Sequence, residues 1–291
     1  MKKLVLVYNP VSGHATFKKK LDKILAKFQQ RDCMLTVYRT KRDNSGLPDF
    51  IRASGAEGIV AAGGDGTLHE MANILMKNDI RLPLAILGSG TSNDFASYLG
   101  FTENLDAYID KIAAGSTRWV DLGKCGTEYF VNVASAGMLT SIAHEVDPKL
   151  KNSFGKMAYY LHSLGEIPHF RSIPLEIEAD GQILQERAFF FLVANSGTVA
   201  GFKNAIAPAS LEDGRLDLLL VRQCGIPEFM TLAAELVAGR SILGKKNVLY
   251  LQAASLRVST TEELGSDLDG ELGPDLPLRI SAVPRALEMY C

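Results

Sequence analysis

Only four cysteines occur in the 291 residues, Cys33, Cys125, Cys224 and Cys291, and no two are spaced to share a metal or a short loop. That scatter excludes a disulfide framework and suits reduced thiols in a cytoplasm. Long apolar runs are also lacking, and none approaches the length that crosses a bilayer, so an integral membrane protein is not expected. The opening Met1-Lys2-Lys3-Leu4-Val5-Leu6-Val7 begins like a secretory leader. Its apolar run stops at Tyr8-Asn9-Pro10 with no small-residue cleavage site, and it reads as a first strand. A surplus of either charge is missing too: 31 Lys and Arg against 33 Asp and Glu leave a formal net charge of -2. Nucleic acid and anionic membranes therefore find no general attraction here, and any affinity for lipid has to be local. Internal repeats and low-complexity tracts are absent. What remains, 47% hydrophobic and 22% charged residues, is the composition of a globular protein long enough for two domains.

The densest signal is Ala61-Ala62-Gly63-Gly64-Asp65-Gly66-Thr67-Leu68-His69-Glu70. Gly58 to Ala62 reads as a buried strand, and Leu68, Met71, Ala72, Ile74, Leu75 and Met76 recur at helical spacing. A glycine-rich turn thus joins a strand to a helix. Glycines there permit positive φ and close approach of backbone N–H groups, and the helix start offers unpaired donors and a positive dipole end. Such a turn suits a phosphate, although a similar one can serve only as a tight connection. Asp65 would repel phosphates unless a divalent cation lay between, which points to a magnesium nucleotide.

Similar units flank it. Leu4 to Tyr8 leads through Asn9-Pro10-Val11-Ser12-Gly13 into an amphipathic helix marked by Phe17, Leu21, Ile24, Leu25 and Phe28. Leu35 to Tyr38 ends at Arg39-Thr40, and Pro83 to Leu87 opens into Gly88-Ser89-Gly90-Thr91-Ser92-Asn93-Asp94. Alternating strands and helices predict an α/β domain with a parallel sheet, whose ligand loops gather at the carboxyl ends of the strands. The turns at Asn9, Thr40, Gly63 and Gly88 are expected to share one crevice. From about residues 118–126 onward the pattern becomes strand-like with Gly, Asp and Asn turns, predicting a mainly antiparallel β domain with helices near Phe154 to Leu164 and Pro227 to Leu243. Three of its segments invite chemistry: Asn195-Ser196-Gly197, Asp213-Gly214-Arg215-Leu216-Asp217 and Asp269-Gly270-Glu271. Each Asp-Gly pair alone reads as a hairpin turn.

Taken in order, Asn9 to Gly13, Gly63 to Glu70, Gly90 to Ala96, Asp213 to Asp217 and Asp269 to Glu271 resemble the motifs of the bacterial diacylglycerol kinase-like lipid kinases over nearly the whole chain. NAD kinases are similar in the Gly-Gly-Asp-Gly run but not at the opening Asn-Pro-x-Ser-Gly or the late Asp-Gly-Glu. The resemblance implies a nucleotide-binding α/β domain over residues 1–122, a β-sandwich lipid-substrate domain over 123–291 whose last residues may return to the first, and substrate held between them. It implies that Asn9, Pro10, Val11, Ser12, Gly13, Thr40, Gly64, Asp65, Gly66, Thr67, Leu68, His69, Glu70 and Thr91 hold ATP. Asp65, Asp94 and Asp121 would organise Mg2+ and water, while Asp213, with backbone carbonyls of Ser210 and Arg215, would hold a structural Mg2+. Glu271 would accept the proton of the lipid hydroxyl, with Asp269 sharing or holding that role.

This chain departs from the family pattern at His14, His69, Gly88 and Ser97. Lys149, Lys151 and Lys156, beside Phe154, Met157, Tyr159, Tyr160 and Leu161, form a basic and aromatic stretch able either to rest on a membrane or to pack as a helix. The cluster Phe229, Met230, Leu232, Leu236 and Val237 reads as core. The expected protein is an ATP- and Mg2+-dependent kinase of a diacylglycerol-like lipid, peripheral to the membrane, with no nucleic-acid partner and sheet edges that permit a homodimer. Rival readings are a kinase of a soluble acceptor such as NAD, and an inactive nucleotide- or lipid-binding regulator.

Overall fold

The structure is a computed structural model describing residues 1–10, 16–88, 94–99, 104–137, 171–199, 201–202 and 205–291. It divides into two units, Met1–Leu122 with Pro284–Cys291, and Gly123–Val283.

In the first unit, β1 (Lys2–Tyr8), β2 (Cys33–Arg39), β3 (Gly58–Gly63), β4 (Leu84–Gly88) and the end of β15 (Leu278–Tyr290) pair in parallel in the order β2-β1-β3-β4-β15. Helices α1 (Thr16–Gln29), α2 (Leu47–Ser54), α3 (Asp65–Lys77), α4 (Asp94–Tyr98) and α5 (Leu105–Ala114) connect them. Leu4 to Val7 and Ile59 to Ala62 are buried at every position, because helices cover both faces of a parallel sheet and leave no polar side to alternate with. Asn104 caps α5, its side chain accepting the N–H groups of Asp106 and Ala107, and Gly115 ends that helix at φ 77°. The closing strand is fixed by Tyr290, whose ring lies against Gly58 where any Cβ would collide, with Lys2 Nζ 4.7 Å from the ring centre.

The second unit is a β-sandwich. β9 (Gln182–Ala194) runs through both of its sheets: its first half pairs β8 (Ile173–Ala179), and its second half lies between β7 (Val133–Gly137) and β10 (Leu216–Arg222). β8 continues to β12 (Ser255–Ser259) and the start of β15, while β10 continues to β11 (Val248–Ala253). β5 (Thr117–Cys125) makes a hairpin with β6 (Glu128–Phe130), and β7 pairs β13 (Ser266–Leu268), which turns into β14 (Glu271–Leu272).

Phe191, Val193, Leu218 and Leu220 point into one core against Leu175, Ile177, Leu256 and Val258. Phe190, Leu219 and Val221 point into a second, closed by Phe229 and Leu232 of α6 (Ile226–Val237). The unbroken apolar runs of β9 and β10 follow from that double burial. The predicted helix at residues 227–243 ends earlier, at Val237, with Gly239 at φ 70° just beyond it. The predicted helix at residues 154–164 lies outside the described residues.

Candidate functional site

The strand order reverses between β1 and β3, which opens a crevice at their carboxyl ends. Asn9 N–H donates to the Ala62 carbonyl at 3.0 Å and Thr40 N–H to the Tyr8 carbonyl at 3.0 Å, while Gly63 stands beside Gly88 in register. The ends of all four strands therefore meet along one edge. α3 starts there at Asp65. Its N-cap, Gly64, is extended (φ -97°, ψ -165°) and no side chain caps the helix, so its first turn carries a positive end open to an anion.

The glycines of this turn are not kept for positive φ. Gly63, Gly64 and Gly66 are not among the positive-φ residues. Gly63 is required by packing instead: a Cβ there would lie 2.7 Å from Thr67 Cγ2 and closer still to Thr67 Cβ and Oγ1. Thr67 is itself buried, and Leu68, 2% exposed, belongs to the core. Glu70 accepts a hydrogen bond from Asn44 Nδ2 at 2.7 Å, tying α3 to the loop after β2, and Asn73 Nδ2 donates to the His69 carbonyl at 3.1 Å. Asp94 is buried at the start of α4. Pro10 is half-buried, whereas Val11, Ser12, Gly13 and Thr91 lie outside the described residues, as do His14 and the stretch from Lys149 to Leu161.

In the second unit, Asp269-Gly270 is a two-residue hairpin turn with both residues at positive φ, 56° and 95°, the geometry for which Asp-Gly is selected. The Asp269 carboxylate accepts three backbone N–H groups, from Val131 at 2.7 Å, Asn132 at 2.8 Å and Val133 at 2.9 Å. Asp267 accepts the Gly270 N–H at 2.8 Å. Beneath them Asn132 Nδ2 donates to the Thr198 carbonyl, Ser196 Oγ–H to Asn132 Oδ1, and Asn195 Nδ2 to the Val131 carbonyl. This buried polar hub fixes the hairpin from which Glu271 projects. The Glu271 side chain is exposed and has no hydrogen-bond or ion-pair partner among the described residues. One turn thus carries an immobilised carboxylate and an open one.

Residues 3–125 match the family described as diacylglycerol kinase catalytic domain, and residues 132–291 match that described as YegS C-terminal NAD kinase beta sandwich-like domain. The chain is 35% identical to a diacylglycerol kinase of Bacillus subtilis over 280 residues, covering 95% of this chain and 92% of that one. The chain belongs to the diacylglycerol kinase family. A diacylglycerol kinase of Staphylococcus haemolyticus is 34% identical over 98% of this chain and 86% of its own length. A crystal structure of a diacylglycerol kinase from Bacillus anthracis superposes with a TM-score of 0.78 at 25% identity, covering 99% of this chain and 96% of that one. The family establishes a lipid kinase, a phosphotransferase.

Two of the expected site residues are held by backbone amides. Asp121 is 1% exposed, and its Oδ1 accepts the N–H of Arg285, a residue held at φ 49°. It anchors the chain where β15 passes Pro284. Asp269 is likewise an anchor, its two oxygens accepting three amides, whereas Glu271 in the same turn is exposed.

The residues for a cation are at hand in the turn before β10. Asp213 is exposed, and its Oδ1 accepts the Arg215 N–H at 3.0 Å; Ser210 Oγ accepts the Glu212 N–H at 3.3 Å. Asp217, wholly buried, accepts Tyr250 Oη–H at 2.6 Å and Gln252 Nε2–H at 3.1 Å on Oδ1, and its Oδ2 is buried without a partner. Burial raises the Asp217 carboxyl above the ordinary carboxylate range, the two hydrogen bonds oppose that shift, and the nearby Asp213 charge adds to it. An orphaned buried oxygen beside a second carboxylate fits a hard cation. No group of three or more His, Cys, Asp and Glu able to hold a metal occurs among the described residues, so such an ion would draw on carbonyl and water oxygens as well.

Proposed function

We propose that this lipid kinase transfers the γ-phosphate of ATP, as its Mg2+ complex, to a hydroxyl of a diacylglycerol-like membrane lipid. The observation that carries the reading is the gathering of Asn9, Thr40, Gly63 and the uncapped start of α3 at one sheet edge, a setting for a phosphate chain. The relatives named diacylglycerol kinase support the lipid acceptor. Asn9, Thr40 and the first turn of α3 would hold the nucleotide. Mg2+ bound with it would neutralise phosphate charge beside Asp65 and Asp94. Glu271 would take the proton of the acceptor hydroxyl, and the hub under Asp269 would keep it in place; a positioned base contributes roughly 10²–10⁴-fold to such a step.

The test is transfer from γ-labelled ATP into diacylglycerol, other hydroxylated lipids and NAD, with and without EDTA. Label in diacylglycerol that EDTA abolishes is expected. Label in NAD alone would overturn the lipid acceptor, and nucleotide binding with no label in any acceptor would favour a regulator.

Asp213, with the carbonyls of Ser210 and Arg215, would hold a second, structural Mg2+. A ligand bound only by the folded state stabilises it by about 2.7 kcal/mol at a hundredfold excess over Kd. Millimolar Mg2+ is therefore expected to raise the Tm of the wild type by several degrees, and to leave Asp213→Ala unmoved. Equal shifts in both proteins would place the ion elsewhere.

A further inference from the structure

Helix α6 carries more apolar surface than its own unit covers. At about 100° per residue, Phe229, Leu232 and Leu236 share an arc about 60° wide, and this arc packs into the second core. Ile226, Met230 and Val237 share another arc, about 40° wide and roughly 60° further round the helix. These three are 61%, 41% and 50% exposed. They are three of the nine large apolar side chains exposed among the described residues, so a third of those side chains lie on one 12-residue helix. Scattered apolar side chains are normal on a protein surface, whereas an aligned row marks a docking face.

The sequence pattern concealed this row. Met230 and Val237 read as core because they share helical spacing with Phe229, Leu232 and Leu236, but the core takes only one side of the apolar arc.

Charge around the helix says what covers it. Arg240 and Lys245 lie just past its C-terminus and share a single carboxylate, Glu235, at 3.3 and 3.6 Å. Lys246 is exposed, and its side chain has no partner among the described residues. Among the described residues, Glu235 is thus the one carboxylate paired with any of these three cations; the neighbouring Glu186 is matched by Arg222. Glu228 is curled back on Gly225 at the other end, beside the positive helix terminus. A bulky apolar row ending in excess positive charge matches the boundary between acyl chains and anionic headgroups.

We propose that Ile226, Met230 and Val237 form a membrane-docking stripe that enters the acyl region of an anionic bilayer, with Arg240, Lys245 and Lys246 at headgroup level. The inference rests on the reading above only in that a membrane lipid acceptor requires the enzyme to visit a bilayer. No catalytic or nucleotide-binding residue lies on α6.

The test compares wild type, the Met230→Glu/Val237→Glu pair and the Met230→Leu/Val237→Leu pair by co-sedimentation with vesicles of phosphatidylglycerol and phosphatidylcholine. Each apolar side chain withdrawn from lipid is worth about tenfold in binding. The Glu pair is expected to lose vesicle binding about a hundredfold with its Tm unchanged, and the Leu pair to retain it. Transfer to a short-chain diacylglycerol dispersed as monomers is expected to be equal in all three proteins. Vesicle binding by the Glu pair equal to that of the wild type overturns the stripe, whatever the kinase assay reads. Loss of binding in the Glu pair, with no lipid phosphorylated even by the wild type, keeps the stripe and removes the proposed acceptor. Wild-type self-association that the Glu pair abolishes, with no vesicle binding by either, identifies a second copy of the chain as the occupant and overturns the bilayer.

Discussion

Replacing Glu271 by Gln is expected to lower the rate of phosphoryl transfer by roughly two to four orders of magnitude, the range of a positioned general base. The Tm should hardly move, because this side chain is exposed and makes no contact among the described residues that folding depends on. Asp269→Asn should behave differently. An amide can present only one oxygen, so one of the N–H groups of Val131, Asn132 and Val133 would face an NH2 group instead of an acceptor. Losing a charge-assisted bond to a backbone donor costs about 1.5–3 kcal/mol. A drop of several degrees in Tm is therefore expected, with activity falling as the hairpin loosens. Thermal melts and single-turnover rates of the two variants separate base from anchor. A stable but inactive Asp269→Asn alongside an active Glu271→Gln would reverse the assignment.

The second large effect is expected at Gly63→Ala. An added methyl would overlap Thr67 Oγ1, Cβ and Cγ2, and the Thr67 Cβ position is set by the backbone, so no rotamer relieves the overlap. Either the end of β3 or the first turn of α3 has to move. Overpacking of this kind costs about 1–3 kcal/mol, or roughly 2–12 °C in Tm at 2–4 °C per kcal/mol for a larger chain. The same shift would displace the helix start proposed to face the phosphates, so nucleotide affinity should fall further than stability alone accounts for. Thr67→Ser should not rescue the variant, since the Cβ overlap remains. Calorimetry together with nucleotide titration checks both points, and a Gly63→Ala protein with unchanged Tm would show that this joint has slack.

Much of the first unit was legible because its signals are local. A strand, a small-residue turn and an amphipathic stretch recur around Asn9, Thr40, Gly63 and Gly88, and each turn sits where a parallel sheet puts its ligand loops. What these turns do atom by atom was less legible. Gly63 looked like a residue kept for φ freedom, and only coordinates reveal Thr67 folded onto it.

In the second unit, β7 was hidden by its small residues, Val133-Ala134-Ser135-Ala136-Gly137, and the far half of β15 by Pro284. The partners of Asp269 lie more than 130 positions away in sequence, at Val131 to Val133. No pattern in a single sequence couples them, although Asn132 and Asn195 at the ends of apolar runs were a hint that something polar is buried there. Asp121 has a hidden partner of the same kind: the Arg285 amide that its carboxylate accepts lies 164 positions further along the chain.

The return of Pro284–Cys291 to the first unit bears on how the chain is made. During translation the first 122 residues leave the ribosome long before Leu287, Met289 and Tyr290, whose side chains are buried against that unit's sheet and helices. The amino-terminal unit therefore waits, with the flank of β4 unpaired and the space beside Gly58 unfilled, until all of the second unit has been synthesised. A fragment cut at the boundary between the two family matches would remain in that waiting state, and co-expression with the carboxyl-terminal portion would be needed to complete its sheet.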